Sequence, residues 1–191
     1  ASWKLSTDGP IRANNEFDGE VYDARMEIPG WTEPAFDDAT WQSAAVVGAP
    51  GGVLAAQMQE PIRVTEVRKP KTLTKLKSGA YLYDMGQNMV GWCRLNVNGP
   101  AGTPVQLRHA ETVNDDGTLY MANLRSAKVT DTYTLKGGGP ETYEPRFTYH
   151  GFRYVELTGY PGEADFNTIE GCVVHDDVRR AGEFETSNSL L

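Results

Sequence analysis

Hydrophobic and polar residues alternate along several short stretches of the chain. In residues 93–97, the side chains of Cys93, Leu95 and Val97 fall on one face and polar side chains fall on the other. Further stretches that alternate in this way, or that are rich in strand-forming residues, are 105–111, 130–135, 152–157 and 172–175. A period of two predicts β-strands, and no long stretch has the 3.6-residue period of an amphipathic helix.

Clusters of glycine and proline separate these stretches. They lie at residues 98–102, 115–117, 136–140 and 160–162, and such clusters are strong turn signals. Short strands joined by tight turns are typical of proteins in which two sheets pack face to face. The pattern therefore predicts an all-β fold, an antiparallel β-sandwich.

An uncharged stretch lies at residues 39–59. It contains several polar residues and the run Pro50-Gly51-Gly52, which would break a helix. A membrane-spanning helix, which needs about 20 predominantly apolar residues, is therefore excluded. We predict a loop and linker here, with a domain boundary near residue 60, where a strand-like run begins.

Charge and cysteine content narrow the function classes. The chain has 191 residues, with 18 Lys and Arg against 26 Asp and Glu, a formal net charge of −8. An acidic chain is poorly suited to nucleic acid or to an anionic membrane surface, because both need clustered cations. Cys93 and Cys172 are too few for a disulfide framework, so we expect two free thiols in the core. The first residues contain no export signal, and the cellular location stays open.

Carboxylates are the first candidates for chemistry, because glycoside hydrolysis needs one carboxylic acid and one carboxylate base or nucleophile. The chain offers many, among them Glu20, Asp23, Asp84, Glu111, Glu144 and Glu156. Their separations, which decide the mechanism, are not encoded in the sequence, so no catalytic residue is predicted. Glu111 and His109 fall on the same face of one predicted strand, and we expect them to form a structural pair.

Metal and sugar sites are the other two options. The acidic turn at residues 14–20 partly resembles a calcium loop, but Arg25 stands where a bidentate Glu is required. The three histidines form no zinc motif, so no metal ligand is predicted. Trp31 and Trp41 lie in a loop-like region and are the predicted carbohydrate-binding residues, with burial under the loop as the alternative.

A series of longer motifs carries a family resemblance. In chain order they are DMGQNMVGW (84–92), GPAGT (99–103), LRHAE (107–111), DGTLY (116–120), DTYTL (131–135) and EPRFTYHGFRYVE (144–156). This order closely resembles the β-sandwich domain of bacterial α-L-rhamnosidases, glycoside hydrolase family seventy-eight. Residues 9–11, 19–25 and 30–31 resemble the end of the N-terminal domain that precedes it in these enzymes. Residues 184–191 resemble the lead-in to the catalytic domain.

The resemblance implies a domain organisation. Residues 1–59 would be the C-terminal part of the N-terminal β domain plus a linker. Residues 60–178 would be a jelly-roll, concanavalin-like β-sandwich, with Trp92, Phe147, Phe152 and Tyr154 in its core. Residues 179–191 would connect to a catalytic domain that the chain does not contain.

The resemblance also implies a function for the parent enzyme. In this family an (α/α)6 barrel removes terminal α-L-rhamnose with inversion, and its acidic motifs have no matching positions in residues 1–191. The chain is therefore expected to be a non-catalytic segment whose partners are that barrel and, through the parent enzyme, rhamnose-containing glycans. No cofactor is expected; calcium is the alternative, because some relatives bind rhamnose with calcium. Such an enzyme would act in the periplasm or be secreted. The alternative function is a stand-alone carbohydrate-binding module for rhamnose or related glycans.

Overall fold

The computed structural model describes residues 3–190. Ala1, Ser2 and Leu191, which belong to the first and last predicted segments, lie outside the described residues. The described residues form strands, of which one, Tyr81–Asn98, is by far the longest, and two single turns of 3-10 helix, Ala24–Met26 and Ala122–Leu124. The strands are β1 (Lys4–Leu5), β2 (Ile11–Asn15), β3 (Gly19–Asp23), β4 (Gln42–Ser43), β5 (Ile62–Arg68), β6 (Thr72–Lys75), β7 (Tyr81–Asn98), β8 (Pro104–Ala110), β9 (Thr130–Thr134), β10 (Pro140–Tyr143), β11 (His150–Thr158) and β12 (Ile169–Asp176).

Ten of these strands form one continuous sheet in the order β2-β3-β9-β8-β11-β7-β12-β5, with β6 and β10 also pairing with β7. Strands β1 and β4 form a separate two-stranded ribbon. The all-β prediction is confirmed. One pair differs from the antiparallel pattern, because β3 runs parallel to β9, with Val21 opposite Thr132.

Strand β7 joins the two layers of the fold. Its first residues pair with β6 and β11, and its last residues pair with β12 and β10. Between these halves the register with β11 shifts: Asp84 lies opposite Tyr154 and Met89 opposite Phe152, so Arg153 alone faces four residues of β7. Such a bulge bends a strand, and it lets one long strand belong to both layers.

The core lies between the two halves of the curled sheet. Its buried side chains alternate along β7 and its neighbours, and they include Tyr83, Leu95, Leu107, Phe152, Val155, Leu157 and Ile169. These side chains come from both halves of β7 and from the strands beside each half, as expected of a sandwich. Cys93 and Cys172 are buried free thiols, as predicted.

The prediction is wrong for one of the four residues expected in the core. Phe147 is 71% exposed, whereas Phe152 is fully buried and Trp92 and Tyr154 are half-buried. The reason is that Phe147 lies between β10 and β11, outside any strand, where the alternation of buried and exposed positions does not apply.

The uncharged stretch at 39–59 is irregular, as predicted, except for the two-residue strand β4 (Gln42–Ser43). Residues 45–61 contain no strand, and their side chains are exposed. The predicted boundary near residue 60, just before β5, stays a prediction. Among the described residues no helix has the length and apolar character needed to cross a membrane.

Candidate functional site: a groove beside the β8–β9 loop

The two tryptophans predicted to bind carbohydrate lie outside the grooves described below. Trp31 is 60% exposed in the loop between β3 and β4. Trp41 is half-buried, and its ring packs edge-on against Phe36 at 5.5 Å between ring centroids. Their role in sugar binding stays a prediction.

The carboxylates considered from the sequence are each held by a neighbouring donor. Glu20 is fully buried and accepts hydrogen bonds from the Tyr143 hydroxyl at 3.0 Å, the Arg146 backbone N–H at 3.1 Å and the Asn14 amide at 2.7 Å. The other five carboxylates also accept hydrogen bonds from side chains: Asp23 from Arg25, Asp84 from Arg153, Glu111 from Asn88 and Asn123, Glu144 from Trp92 and Arg94, and Glu156 from Arg108. These contacts give each of the six carboxylates a structural role.

The predicted pair of His109 and Glu111 is wrong. Glu111 lies just beyond the end of β8, where it is exposed and accepts hydrogen bonds from the side-chain amides of Asn88 and Asn123, both at 3.2 Å. His109 is fully buried and contacts Val129 instead. The strand ends between the two residues, so they do not share a face.

A first groove, called here the tyrosine groove, is lined by Tyr22, Glu27, Trp92, Tyr133, Thr142, Tyr143, Glu144, Pro145 and Arg146, with a cavity volume of about 480 Å³. Tyr133 stacks on Tyr143 at 4.6 Å and on Tyr22 at 5.7 Å between ring centroids. The three hydroxyls donate to Glu141, Glu20 and Glu27, respectively. Its aromatic faces and hydroxyls are therefore largely engaged within the protein.

The pKa shifts of Tyr22 and Glu144 agree with this description of the tyrosine groove. Burial and the Glu27 carboxylate raise the pKa of Tyr22 to about 12. Burial also works to raise the pKa of Glu144, but hydrogen bonds from Trp92 and Arg94 outweigh it and hold that pKa below its usual range. The tyrosine groove thus contains neutral phenols and an ionised carboxylate whose donors are already in place.

A second groove, called here the loop groove, lies beside the long connection between β8 and β9. Three segments line it, and its cavity volume is about 770 Å³, within the range of ligand-binding clefts. They are the β2–β3 turn (Asn15, Glu16, Phe17, Asp18), the β8–β9 loop (Asn123, Leu124, Arg125, Ser126, Ala127, Val129) and the start of β11 with the residue before it (Tyr149, His150, Gly151). Phe17 is 70% exposed and Tyr149 is 53% exposed.

The wall of the loop groove has an unusual backbone. Arg125 has φ 57° and ψ −111°, and Val129 has φ 42°. A positive φ is rare for residues other than glycine, and for a β-branched residue it is an outlier that the surroundings must hold in place. Strain of this kind is concentrated at functional sites.

Hydrogen bonds fix this backbone. The Val129 N–H donates to the Phe17 carbonyl at 3.0 Å, and the Thr130 N–H donates to the Asp18 carbonyl at 2.8 Å. On the other side, the backbone N–H and the ring Nδ1 of His109 lie 3.0 Å and 3.1 Å from the Val129 carbonyl oxygen. The end of the loop is thus joined to the turn that carries Phe17, and the groove is formed in advance of any ligand.

A buried histidine cluster lies behind this wall. The rings of His109 and His150 stack at 4.3 Å between centroids, and His150 Nε2 lies 3.1 Å and 3.0 Å from the two carboxylate oxygens of Asp131. The Glu20 backbone N–H also donates to Asp131, at 2.9 Å. His150 is one of the residues that line the loop groove.

Burial and hydrogen bonding shift the pKa values of His109 and Asp131. Loss of hydration, followed by the neighbouring His150, lowers the pKa of His109 to about 3, so His109 is neutral at pH 7 and its Nδ1–H donates to Val129. Burial works to raise the pKa of Asp131, but the hydrogen bond from His150 and the nearby imidazoles outweigh it and hold the pKa below its usual range.

Donor atoms of His109, Asp131 and His150 lie within 4.8 Å of one another, so a metal ion has to be considered. The geometry does not fit one. Imidazole nitrogens bind a metal in the plane of the ring, about 2.0–2.1 Å from the ion, but these rings stack at an interplanar angle of 24°. Stacked rings with centroids 4.3 Å apart do not direct two lone pairs at one ion. The cluster is better explained as a hydrogen-bonded support for the groove wall.

Sequence reasoning missed Phe17 and Tyr149, the two exposed rings of the loop groove. Phe17 lies inside the acidic turn that was considered only for calcium, and Tyr149 lies inside a family motif. A signal was nevertheless present, because the connection between β8 and β9 is 19 residues long (111–129), and loops of that length are uncommon unless functional.

Two families of known domains match the chain in succession. Residues 1–66 match the α-L-rhamnosidase N-terminal domain, and residues 74–175 match the bacterial α-L-rhamnosidase concanavalin-like domain. An α-L-rhamnosidase of Streptomyces avermitilis is 51% identical over 99% of this chain, and one of Formosa agariphila is 39% identical over 100% of this chain. The chain spans only 18% and 21%, respectively, of these two relatives.

Solved structures agree with the sequence matches. The crystal structure of the S. avermitilis enzyme complexed with L-rhamnose has a TM-score of 0.91 at 50% identity, over 98% of this chain and 18% of that one. The structure of α-L-rhamnosidase from Dictyoglumus thermophilum has a TM-score of 0.92 at 49% identity, over 95% and 21%. Because the concanavalin-like domain match covers more than half of its residues, this chain belongs to the family of bacterial α-L-rhamnosidase concanavalin-like domains.

Proposed function

We propose that this chain is a non-catalytic β-sandwich segment of an α-L-rhamnosidase, a glycoside hydrolase that removes terminal α-L-rhamnose from plant glycosides or polysaccharides. The observation that carries the proposal is the ordered match to two adjacent rhamnosidase domains within about a fifth of each relative's length. The segment's partner would be the (α/α)6 catalytic barrel of the parent enzyme, and its glycan contacts would be made as part of that enzyme.

The hydrogen bonds that the six carboxylates already accept favour a structural role over a catalytic one. A glycosidase needs a carboxylic acid and a second carboxylate on opposite sides of the scissile bond, with room between them for the sugar. Glu20 and Glu144 instead accept their hydrogen bonds from side chains and backbone of the same sandwich. The proposal therefore places the reacting pair on the barrel.

An assay of the isolated chain tests this assignment. We expect no release of p-nitrophenol from p-nitrophenyl α-L-rhamnoside above the buffer rate, with the S. avermitilis enzyme as the positive control. Release that scales with the concentration of the chain and survives repurification would show that the chain is itself an enzyme, and it would overturn the proposal.

The second candidate is a stand-alone carbohydrate-binding module for rhamnose or related glycans, using Trp31 and Trp41. The exposure of Trp31 favours it, and calcium is the ion such a module would use. The acidic turn does not offer a free set of oxygens, because Asn15 Oδ1 already accepts from the N–H groups of Phe17 and Asp18. Calorimetric titration of the chain with L-rhamnose, with and without calcium, separates this candidate from the first. Binding that Trp31→Ala or Trp41→Ala abolishes would favour it.

A further inference from the structure

We propose that the loop groove is a binding subsite for one neutral sugar residue, which stacks on Phe17 and Tyr149. The inference rests on the proposed function for the substrate class, a glycan. It differs from that proposal in assigning this chain a direct contact with the sugar, at residues other than Trp31 and Trp41.

The exposed rings supply the first argument. Phe17 and Tyr149 line one groove although 70% and 53% of their surfaces are exposed. Aromatic side chains usually bury their faces, and exposed apolar surface in a concave, polar-rimmed site marks a place where something binds. The apolar C–H face of a sugar ring fits such a surface, while its hydroxyls remain free to form hydrogen bonds.

The polar groups around the rings supply the second argument. The side chains of Glu16, Arg125 and Ser126 line the groove and make no hydrogen bond or ion pair within residues 3–190. Asn123 also lines the groove, and its amide donates to Glu111 at 3.2 Å. A few placed polar groups around an apolar floor are the usual composition of a small-ligand site.

Charge favours a neutral sugar over an anionic one. Glu16 and Asp18 lie in the groove with a single guanidinium, that of Arg125. The ammonium group of Lys128 is 3.7 Å from Asp18 and is partly neutralised by it. An anionic sugar would need an excess of cations, whereas hydroxyls can both donate to carboxylates and accept from arginine.

The fixed backbone supplies the third argument. Phe17 is joined to Val129 by a backbone hydrogen bond, and Val129 is held from behind by His109. A site that is rigid before binding loses less entropy on binding. The backbone of Val129 is also strained, with φ 42°, and such strain is concentrated at functional sites. The tyrosine groove lacks the corresponding features, since its rings stack on one another and its hydroxyls are already bound.

Titration of the full chain with methyl α-L-rhamnoside, followed by NMR line shifts and calorimetry, tests the inference. Weak binding is expected, with Phe17→Ala and Tyr149→Ala each weakening it roughly tenfold, the cost of losing about 1.4 kcal/mol of contact. Phe166→Ala is the matched control, because this ring is 47% exposed and lies outside both grooves, between β11 and β12, so its loss should leave binding unchanged. Each of these side chains is exposed, so the variants should keep the wild-type fold, which circular dichroism verifies.

Two results would overturn the inference. One is the absence of binding at tens of millimolar sugar, and the other is binding that survives both groove substitutions or is lost in Phe166→Ala. Neither result affects the assay for rhamnosidase activity of the isolated chain, so a failure here is distinguishable from a failure of the proposed function.

Discussion

At the scale of single residues, the burial of His109 could be predicted from the sequence, but its contacts could not. Alternation correctly placed His109 on the buried face of β8, but its contacts are with Val129 and His150, which lie 20 and 41 positions further along the chain. Nothing local to the sequence encodes such pairs, because sheet pairing brings them together. The same limit explains why Phe17 was not recognised: the aromatic partner in its groove, Tyr149, is distant in sequence.

The buried His109 should make the protein sensitive to acid. Its pKa is about 3 in the folded chain and 6.5 in the unfolded chain, so between these values only the unfolded chain takes up the proton. The stabilisation is complete above pH 6.5 and is lost as the pH falls toward 3, by about 3 kcal/mol at pH 4. Urea unfolding at pH 6.5, 5 and 4 measures it.

Two variants isolate the contribution of His109. In His109→Asn the side-chain amide keeps a donor for the Val129 carbonyl but cannot titrate, so the unfolding free energy should fall less between pH 6.5 and 4. His175→Asn changes an exposed histidine and should leave the pH dependence unchanged. If His109→Asn retains the full pH dependence of the wild type, the assignment of that dependence to His109 is wrong.

At the scale of secondary-structure elements, the strands were predictable but their arrangement was not. Alternation and turn residues locate β8, β9, β11 and β12, because these signals are local. The parallel pairing of β3 with β9 joins segments more than a hundred residues apart, and no local pattern specifies it. The bulge in β7 was likewise hidden, since the motif from Asp84 to Trp92 alternates on both sides of it.

The antiparallel pairing of β7 with β12, with Val173 opposite Gly91, gives a test at this scale. At Gly91, φ 153°, an added Cβ would lie 1.8 Å from the Cys172 carbonyl oxygen, whereas at Gly139, also φ 153°, it would meet open space. Both substitutions by alanine strain the backbone, but only the first forces β7 and β12 apart. We expect Gly91→Ala to lower the unfolding free energy by about 1–3 kcal/mol more than Gly139→Ala. Equal losses in urea unfolding would contradict the close approach of the two strands.

At the scale of the whole molecule, the chain spans about a fifth of the length of the α-L-rhamnosidases that it matches. The motifs from Asp84 to Glu156 made the family recognisable, and the fold and family comparisons confirm it. The acidic residues that first suggested glycosidase chemistry accept hydrogen bonds from neighbouring groups of the same chain, as Asp84 does from Arg153. What the sequence could not locate was the exposed surface left for a ligand, because exposure depends on the packing of the loop beside β9.

The most direct test of the account is a replacement in a relative. The matching segment of the S. avermitilis α-L-rhamnosidase, 51% identical over 192 residues, would be exchanged for this chain, and hydrolysis of p-nitrophenyl α-L-rhamnoside would be measured beside a variant that lacks the segment. If this chain is the supporting sandwich of such an enzyme, the exchanged enzyme should be folded and should keep most of its activity, while the deletion variant should lose it. An exchanged enzyme as inactive as the deletion variant, or a deletion variant as active as the wild type, would contradict the account.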